Sequence, residues 1–150
     1  CQLSVDDLDH LLNRSSGLLG MTGDNDMQAI EESAAQECES ARLAIQIFTH
    51  RLRKYLGGYA AVMGGVDVIV FTGGIGENSA LIRRKVAQRL DFLGARIDEN
   101  RNRNMSIGES CQVSEFSTSD SPTRLLVVAT DEERQIARRT AQVINHSRES

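Results

Sequence analysis

The feature of this sequence that most constrains its fold is a β-branched run that passes through three glycines directly into a helical pattern. The run Val66–Phe71 has the length and composition of a buried strand, and Thr72-Gly73-Gly74-Ile75-Gly76-Glu77-Asn78 follows it as a turn. Behind the turn, apolar residues recur at helical spacing, and a glycine is placed to cap the helix: Ile82, Val86, Leu90, Leu93 and Gly94. A strand, a glycine turn and a helix in this order predict an α/β layer structure.

Two interpretations of the glycine turn remain open. Glycines let the main chain approach a ligand closely, and N–H groups at a helix start favour an anion, so the turn could bind a phosphate or a nucleotide. Alternatively, the glycines only supply the backbone angles of a tight connection. A phosphate-binding P-loop is excluded because no lysine occurs between Lys54 and Lys85. Gly74 and Gly76 match two glycines of a dinucleotide-binding fingerprint, but Ser79 stands at the third position, so this alternative fits only partly.

The composition is that of one domain spanning residues 1–150. The chain has 150 residues, of which 40% are hydrophobic, and a formal net charge of -4. This length allows a core without disulfides or a structural metal. The acidic balance and an aromatic content of 4% argue against a nucleic-acid partner. No apolar stretch approaches the ~20 residues needed to cross a bilayer, so no membrane segment is expected. Three widely spaced cysteines without metal-ligand spacing indicate a reducing, cytoplasmic setting.

The first half of the chain is predicted to be mainly helical. Ser4 is expected to cap a short helix with an apolar side at Leu8, Leu11 and Leu12, and a loop is expected from Ser15 to Asp26. Apolar spacing then predicts one long helix from Ala34 to Met63, with Cys38 in the core, a kink at Gly57-Gly58 and an end at Gly64-Gly65.

The second half is predicted to contain short strands and a last helix. Strands are expected at 95–97, 112–116 and 125–129, and a mobile polar stretch at 100–110. Thr130 is expected to cap the last helix, with Glu133 completing a capping box. The core side of that helix is predicted at Ile136, Thr140, Val143 and Ile144.

Two acidic residues are candidates for a functional role. Glu132 is not needed by the capping box, and it follows the carboxyl end of a strand, where open α/β sheets bind ligands; it could hold Mg²⁺. Alternatively, it is an acid that stabilises the helix dipole. Asp26 is predicted to be the N-cap of a helix that begins near Gln28, with Asp24 competing for that role. The histidines lie far apart and support no nucleophilic or metal constellation.

The segments Phe71-Thr72-Gly73-Gly74-Ile75-Gly76-Glu77-Asn78-Ser79 and Ala60-Ala61-Val62-Met63-Gly64-Gly65-Val66-Asp67 closely resemble the acetate kinase (acetokinase) family. Ser16-Gly17-Leu18-Leu19-Gly20 and Thr130-Asp131-Glu132-Glu133 agree with it, in the family's order and over nearly the whole chain. The resemblance implies the actin and sugar-kinase-like (ribonuclease H-like) fold, with helices packed on a small sheet, in a homodimer. It also implies Mg²⁺-dependent transfer of the γ-phosphoryl of ATP to a short-chain carboxylate, acetate or propionate, giving ADP and an acyl phosphate.

The resemblance also implies which residues form the site. The family's nucleotide-binding turn is matched by Gly74, Ile75, Gly76, Glu77 and Asn78. The family's Asp-x-Arg element at the adenosine falls on Asp26, Met27 and Gln28, and its magnesium-ligand glutamate on Glu132. Because Gln28 stands where the family usually has arginine, nucleotide affinity or preference is expected to differ.

The resemblance covers only the C-terminal part of the family. The residues implied to bind the acyl substrate and to stabilise the transferring phosphoryl group lie upstream, so the chain is expected to supply the nucleotide and Mg²⁺ side of a cleft and to be inactive alone. The alternative from a different class is a non-catalytic module that oligomerises through the long helix Ala34 to Met63.

Overall fold

A computed structural model of the chain describes residues 3–108, 111–130 and 132–146, without the side chains of 132–135, 143, 145 and 146. The first four helices are α1 (Val5–Arg14), α2 (Gly17–Thr22), α3 (Met27–Ala35) and α4 (Glu39–Met63). Strand β1 (Val68–Phe71) follows, and then α5 (Gly73–Asn78), α6 (Ala80–Ala87), a 3-10 turn (Asp91–Leu93) and α7 (Glu99–Asn104). The chain continues through β2 (Val113–Glu115), β3 (Arg124–Val128) and α8 (Glu132–His146).

The three strands form one mixed sheet in the order β1-β3-β2. Strand β3 lies in the centre, parallel to β1 and antiparallel to β2, with Phe71 opposite Val127 at the end of the parallel ladder. Because β1 and β3 are parallel, the segments that follow them leave the sheet at the same edge. Those segments are α5 and the connection to α8, so the topology places the two predicted site segments side by side.

One hydrophobic core joins the helices to the sheet. Its largest fully buried apolar side chains come from α3, α4, α6, β3 and the adjoining connections: Ile30, Ile45, Ile82, Val86, Leu90, Phe116, Leu125 and Val127. Each such side chain stabilises the fold by about 1.5–3 kcal/mol through burial. The ring of Phe71 at the end of β1 packs edge-on against Phe116, with ring centroids 5.4 Å apart. This contact anchors the end of β1, where the glycine segment starts.

Strand β2 is fastened to the central strand by an ion pair. Arg124 donates from Nη2 to Glu115 Oε2 at 2.7 Å and from Nε to Oε1 at 3.2 Å, and Ser117 Oγ donates to Oε1 at 2.6 Å. The bonds from Arg124 and Ser117 lower the pKa of Glu115 to about 2. Strand β2 is thus held by charge as well as by its backbone ladder.

The predicted long helix is wrong at its start and correct at its end. Residues 36–38 break it, with Glu37 at a φ of 68°, so that Ala34 belongs to α3 and Cys38 is an exposed N-cap instead of a core residue. Helix α4 continues through Gly57-Gly58, as expected, and ends at Gly64 with a φ of 75°. The apolar spacing does not reveal the break, because Ala34 and Cys38 are one helical turn apart and fit one continuous helix as well as two helices.

Two segments predicted to be irregular are helical. Residues Gly17–Thr22 form α2 within the predicted loop, and α2 packs on α4. Residues Glu99–Asn104 form α7 within the predicted mobile stretch, because the carboxylate of Asp98 accepts the N–H groups of Asn100 and Arg101 at 3.0 Å each. The strand expected at 95–97 is reduced to single bridges at Ala95 and Ile97. Helix α1 has the expected Ser4 cap, completed by Asp7.

Several apolar side chains expected in the interior are exposed. On α8, Ile136 is 59% and Ile144 48% exposed, so the core side predicted for this helix is wrong for the described residues. Strand β1 was expected to be buried, but Val68 and Val70 are exposed while Ile69 lies in the core. Val143 belongs to the same predicted face but lies outside the described side chains.

None of the helices in the described ranges is both long and apolar enough to cross a bilayer.

Candidate functional site

The predicted site segments meet at one pocket of about 400 Å³ between the start of α3 and the α5–α6 corner. Its lining includes six of the predicted residues, Asp26, Met27, Gln28, Gly74, Ile75 and Asn78, and three others, Asn25, Glu31 and Ser79. Gly76 and Glu77 lie on the same helix but outside the lining. Glu132 begins α8, and its side chain lies outside the described residues.

A second groove, of about 550 Å³, is larger but contains none of the predicted residues. It lies between α4 and α6 and is lined by polar and basic side chains that include His50, Arg53, Lys85 and Arg89. By volume alone, this groove would be the stronger candidate for the functional site. In the smaller pocket, two segments more than 40 residues apart in sequence converge, and both are assigned to the nucleotide site by the family resemblance.

One wall of the pocket is the first turn of α3. Asp26 is the N-cap of this helix, as predicted, and its Oδ1 accepts the N–H of Gln28 at 2.9 Å. Asp24 holds the cap in place, because its Oδ1 accepts the N–H of Asp26 at 2.9 Å. Met27 is buried in the core, whereas the Gln28 side chain is exposed and donates to Glu32 at 3.3 Å. The wall therefore has a fixed backbone with Asp26 and Gln28 at its surface.

The opposite wall is the glycine segment, which forms a short helix and not an open turn. Gly73 starts α5 with a φ of 72°, a conformation that favours glycine. A β-carbon on Gly76 would lie 3.1 Å from the backbone carbon of Phe71, so this glycine lets α5 pack closely on β1. A β-carbon on Gly74 would meet nothing within 4 Å, and its φ is not positive. Of the three, Gly74 is the one that folding does not require, and it faces the pocket.

The corner between α5 and α6 contributes Ser79, which was not among the predicted site residues, beside the predicted Asn78. Ser79 is the N-cap of α6, accepts the N–H of Ile82 at 2.9 Å, and donates a short hydrogen bond to Glu31. Asn78 turns back onto its own helix and donates to the carbonyl of Gly74 at 2.9 Å. A serine three residues before a buried apolar residue is a recognisable N-cap pattern. The contact with Glu31 joins α3 to α6 and has no local sequence signature.

A buried arginine holds the last turn of α5 from beneath. Arg83 is 2% exposed, and its Nη1 donates to the carbonyl oxygens of Gly76 and Glu77 at 2.8 Å each. Its Nε donates to Asn102 Oδ1 at 2.8 Å and its Nη2 to the Asn102 carbonyl at 2.9 Å. Burial lowers the pKa of Arg83. A cation bonded to the last carbonyls of a helix also stabilises its dipole, so Arg83 fixes α5 although it does not line the pocket.

The carboxylate of Glu77 connects α5 to the end of β3. Its Oε1 accepts the N–H of Gly73 at 3.0 Å, the N–H of Thr130 at 2.9 Å and the hydroxyl of Thr130 at 2.6 Å. The bonds from the Thr130 side chain and backbone lower the pKa of Glu77. The Thr130 N–H and hydroxyl both donate to Glu77, and the capping box with Glu133 stays a prediction because the Glu133 side chain lies outside the described residues.

The charges of the pocket favour a neutral part of a ligand. Asp26 and Glu31 are the ionisable side chains in its lining, and both are acidic. Arg83, the cation beneath α5, donates to Gly76, Glu77 and Asn102 and lies below the lining. Carboxylates accept hydrogen bonds from hydroxyl and amino groups but repel phosphates, so the pocket suits a sugar and a base more than a phosphate chain.

The described side chains contain no cluster of three or more His, Cys, Asp or Glu suited to a metal ion. Magnesium does not need such a cluster, because it binds through one or two carboxylates together with substrate phosphates and water. Thr130 and Gly73 donate to the same oxygen atom, so the start of α8, where Glu132 lies, is close to the start of α5. The backbone thus fits a single metal-binding carboxylate at this edge of the sheet.

Comparisons with known proteins agree with this architecture. The acetate kinase of Porphyromonas gingivalis superposes with a TM-score of 0.82 at 38% identity, over 95% of this chain and 35% of that protein. A propionate kinase from Francisella tularensis subsp. tularensis SCHU S4 gives a TM-score of 0.77 at 39% identity, over 87% of this chain and 32% of that protein. The predicted fold class, α/β of the actin and sugar-kinase-like type, is confirmed.

The sequence comparisons point to the same family. The acetate kinase of Clavibacter michiganensis subsp. michiganensis (strain NCPPB 382) is 46% identical over 138 residues, which are 92% of this chain and 34% of that protein. The chain thus spans about a third of the length of the curated relatives it matches. A model of the acetokinase family matches residues 1–138. The chain belongs to the acetokinase family.

Proposed function

We propose that the protein is a phosphotransferase that makes an acyl phosphate from ATP and a short-chain carboxylate, acetate or propionate. In this reaction a carboxylate oxygen bonds to the γ-phosphorus of ATP, the bond from that phosphorus to the β,γ-bridging oxygen breaks, and ADP leaves. The observation that carries the proposal is the pocket in which Asp26, Met27 and Gln28 face Gly74, Ile75 and Asn78. Family membership and relatives described as acetate and propionate kinases support the reaction class.

Within this proposal, the described residues hold the nucleoside end of ATP. Asp26 and Glu31 accept hydrogen bonds from ribose hydroxyls or from the base, and Gly74 lets that group approach the backbone of α5. Gln28 presents an amide, where the family resemblance implies an arginine. An amide lacks the charge and the planar fork of arginine, so we expect weaker nucleotide binding than in relatives with arginine.

The phosphates are assigned to the edge of the sheet beyond the pocket, towards the start of α8. Glu132 is the residue that would hold Mg²⁺ there, and the ion when bound would neutralise charge on the phosphates. The described residues that line the pocket include no cation that could take over this task. Acid binding and stabilisation of the transferring group are therefore assigned to parts of the protein outside this chain.

Other features of the chain agree with a cytoplasmic enzyme. Cys38 and Cys111 are both free and exposed, which suits a reducing compartment. We extend the proposal to a homodimer, as the resemblance implies. Dinucleotide binding, the alternative that fits the glycine segment only partly, is not favoured, because Gly76 is explained by its packing on Phe71 and the family match is to kinases.

The experiment is an acyl-phosphate assay on the full-length protein with MgATP and acetate, propionate or no acid. We expect acyl phosphate and ADP to form in equal amounts when an acid is present. Calorimetry with Mg-ADP measures the nucleotide site independently of turnover. ADP release without acyl phosphate would overturn the reaction, and the absence of Mg-ADP binding by folded protein would overturn the nucleotide site.

Glu132→Gln in the same protein tests the metal assignment. The variant should lower turnover and raise the Mg²⁺ concentration needed for half-maximal activity, because a neutral amide binds the ion less well than a carboxylate. An unchanged magnesium dependence would reject the role of Glu132.

A further inference from the structure

The carboxylate of Glu77 has a position that nucleotide contact does not explain. Although Glu77 belongs to the glycine segment, it lies outside the pocket lining. One oxygen, Oε1, accepts three hydrogen bonds, one from Gly73 and two from Thr130, and the two partners lie on different segments of the chain. The Oε1 atom is therefore engaged with the protein, and through it Glu77 joins two separate segments of the chain.

The two segments joined by Glu77 are those that the proposed function needs to hold together. Gly73 starts the helix whose next residue, Gly74, forms the open wall of the pocket, and Thr130 lies two residues before Glu132. The parallel ladder ends at Phe71 and Val127, so strand pairing does not fix the backbone beyond it. Past that point, the Thr72 hydroxyl donates to the Val128 carbonyl at 2.9 Å, and the Glu77 carboxylate makes a further bridge among the described residues.

We propose that Glu77 is a positioning residue that fixes the start of α8 against the start of α5, so that Gly74 and Glu132 serve the same nucleotide. This inference rests on the proposed function. Glu77 acts through the three bonds that its Oε1 atom accepts from Gly73 and Thr130. Its carboxylate is the acceptor that satisfies the Gly73 N–H, which is one of the donors left free at a helix start.

The charge of Glu77 matters because bonds to an ionised acceptor are roughly twice as strong as neutral ones. The Thr130 bonds keep the pKa of Glu77 below its ordinary value, so the carboxylate is ionised at neutral pH. Replacing it by an amide retains its size but weakens all three bonds. The expected result is a looser junction and not a collapsed fold, since the core beneath α5 is held separately by Arg83.

The test uses four variants of the full-length protein. Glu77→Gln removes the charge, Thr130→Val removes the hydroxyl donor, and Thr130→Ser retains it. Glu115→Gln is the matched control, because Glu115 is also a strongly hydrogen-bonded carboxylate but lies on β2, bonded to Arg124. For each variant, the KM for MgATP, the KM for the acid and the Mg²⁺ concentration for half-maximal activity are measured. Hydrogen exchange of the Thr130 amide is measured without nucleotide.

We expect Glu77→Gln and Thr130→Val to raise the KM for MgATP and the Mg²⁺ requirement together, at least fivefold, and to leave the KM for the acid within twofold. Thr130→Ser and Glu115→Gln should resemble the wild type. The Thr130 amide should exchange at least tenfold faster in Glu77→Gln than in the wild type, and this measurement does not depend on catalytic activity.

Two results would overturn the inference while the proposed function stands. One is an unchanged KM for MgATP in Glu77→Gln, and the other is an equal rise in both KM values, which indicates general loosening. The proposed function itself fails if the wild-type protein neither binds Mg-ADP nor forms acyl phosphate. In that case the positioning role is rejected as well, whatever the exchange rate of the Thr130 amide.

Discussion

At the scale of single residues, two of the three glycines of α5 are required by the fold and the third is not. Gly73 provides a positive φ, and Gly76 provides space against the backbone of Phe71. Gly74 does neither, and a glycine inside a helix costs about 1 kcal/mol relative to alanine. In the proposed function, a glycine at this position lets the nucleotide approach the backbone of α5.

The first prediction compares alanine at two of these positions in the full-length protein. Gly76→Ala should lower the free energy of unfolding by about 1–3 kcal/mol, because the new methyl group overlaps the Phe71 backbone. Gly74→Ala should leave that free energy unchanged or raise it by up to about 1 kcal/mol, since the methyl group meets open space.

Binding should show the opposite ranking. Gly74→Ala should weaken Mg-ADP binding at least tenfold, a loss of about 1.4 kcal/mol, measured by calorimetry beside chemical denaturation. If the Gly74→Ala protein binds Mg-ADP as tightly as the wild type, α5 is not part of the nucleotide site.

The sequence could identify the residues of the pocket but not their contacts. Asp26 was predicted as an N-cap from its spacing to Gln28, and the structure has that bond. The contact between Ser79 and Glu31 spans 48 residues, so no local pattern contains it. The direction of the Glu77 side chain is likewise set by Thr130, 53 residues away. Local capping chemistry is visible in a sequence, whereas partners brought together by packing are not.

At the scale of secondary-structure elements, α5 is supported by a polar cluster that replaces hydrophobic burial. Arg83 and Asn102 are almost completely buried, and Asn102 Nδ2 also donates to the Ala80 carbonyl at 2.9 Å. The cluster therefore ties α7 to both α5 and α6. Because charged groups are costly to bury without partners, the cluster depends on Asn102 as much as on the arginine.

The second prediction removes that partner. Asn102→Ala should lower the free energy of unfolding by about 2–4 kcal/mol, because the buried Nε–H of Arg83 would lose its acceptor and the Ala80 carbonyl would lose its side-chain donor. Arg103→Ala, on the same helix but exposed, is the control and should change it by less than about 0.5 kcal/mol. Urea denaturation of both proteins measures the difference. Equal stability of the two variants would show that the cluster is not a support of α5.

Element types were predictable where the pattern was local and strong. The order of strand, glycine segment and helix from Val66 to Leu90 follows from composition and period, and β1 and α6 occur there. The α3–α4 break could not be predicted because it depends on one residue, Glu37, in a left-handed conformation that glutamate rarely adopts. The helix at Glu99–Asn104 was missed, although Asp98 is a good N-cap, because its exposed face lacks an apolar period.

At the scale of the whole molecule, the chain has apolar surfaces on several sides of one core. They lie on α1, on the second half of α4, on β1 and on α8, and include Leu12, Tyr59, Val62, Val70 and Ile136. Where such side chains lie together, as Tyr59 and Val70 do along one groove between α4 and β1, the exposed apolar surface indicates contact with other protein. Because the apolar residues of α8 belong to this exposed surface, its helical period predicted a buried face that the described residues do not have.

The third prediction concerns the chain expressed by itself. We expect it to associate and to bind an apolar fluorescent dye at micromolar concentration, because Val62 is 86% exposed and Val70 50%. The full-length protein should show much less dye binding per chain. Sedimentation velocity and a dye titration measure both. A monomeric chain without dye binding would mean that these side chains are tolerated in water.

The parallel pairing of β1 with β3 also has a consequence for synthesis on the ribosome. Thr72 and Val128, which meet at the end of the pair, are 56 residues apart. At translation rates of about 5–20 residues per second, roughly 3 to 11 seconds separate the emergence of one strand from that of the other. During that interval Ile69 and Phe71 have no strand to cover them, so the nascent polypeptide should be a client for a holding chaperone until the central strand has left the exit tunnel.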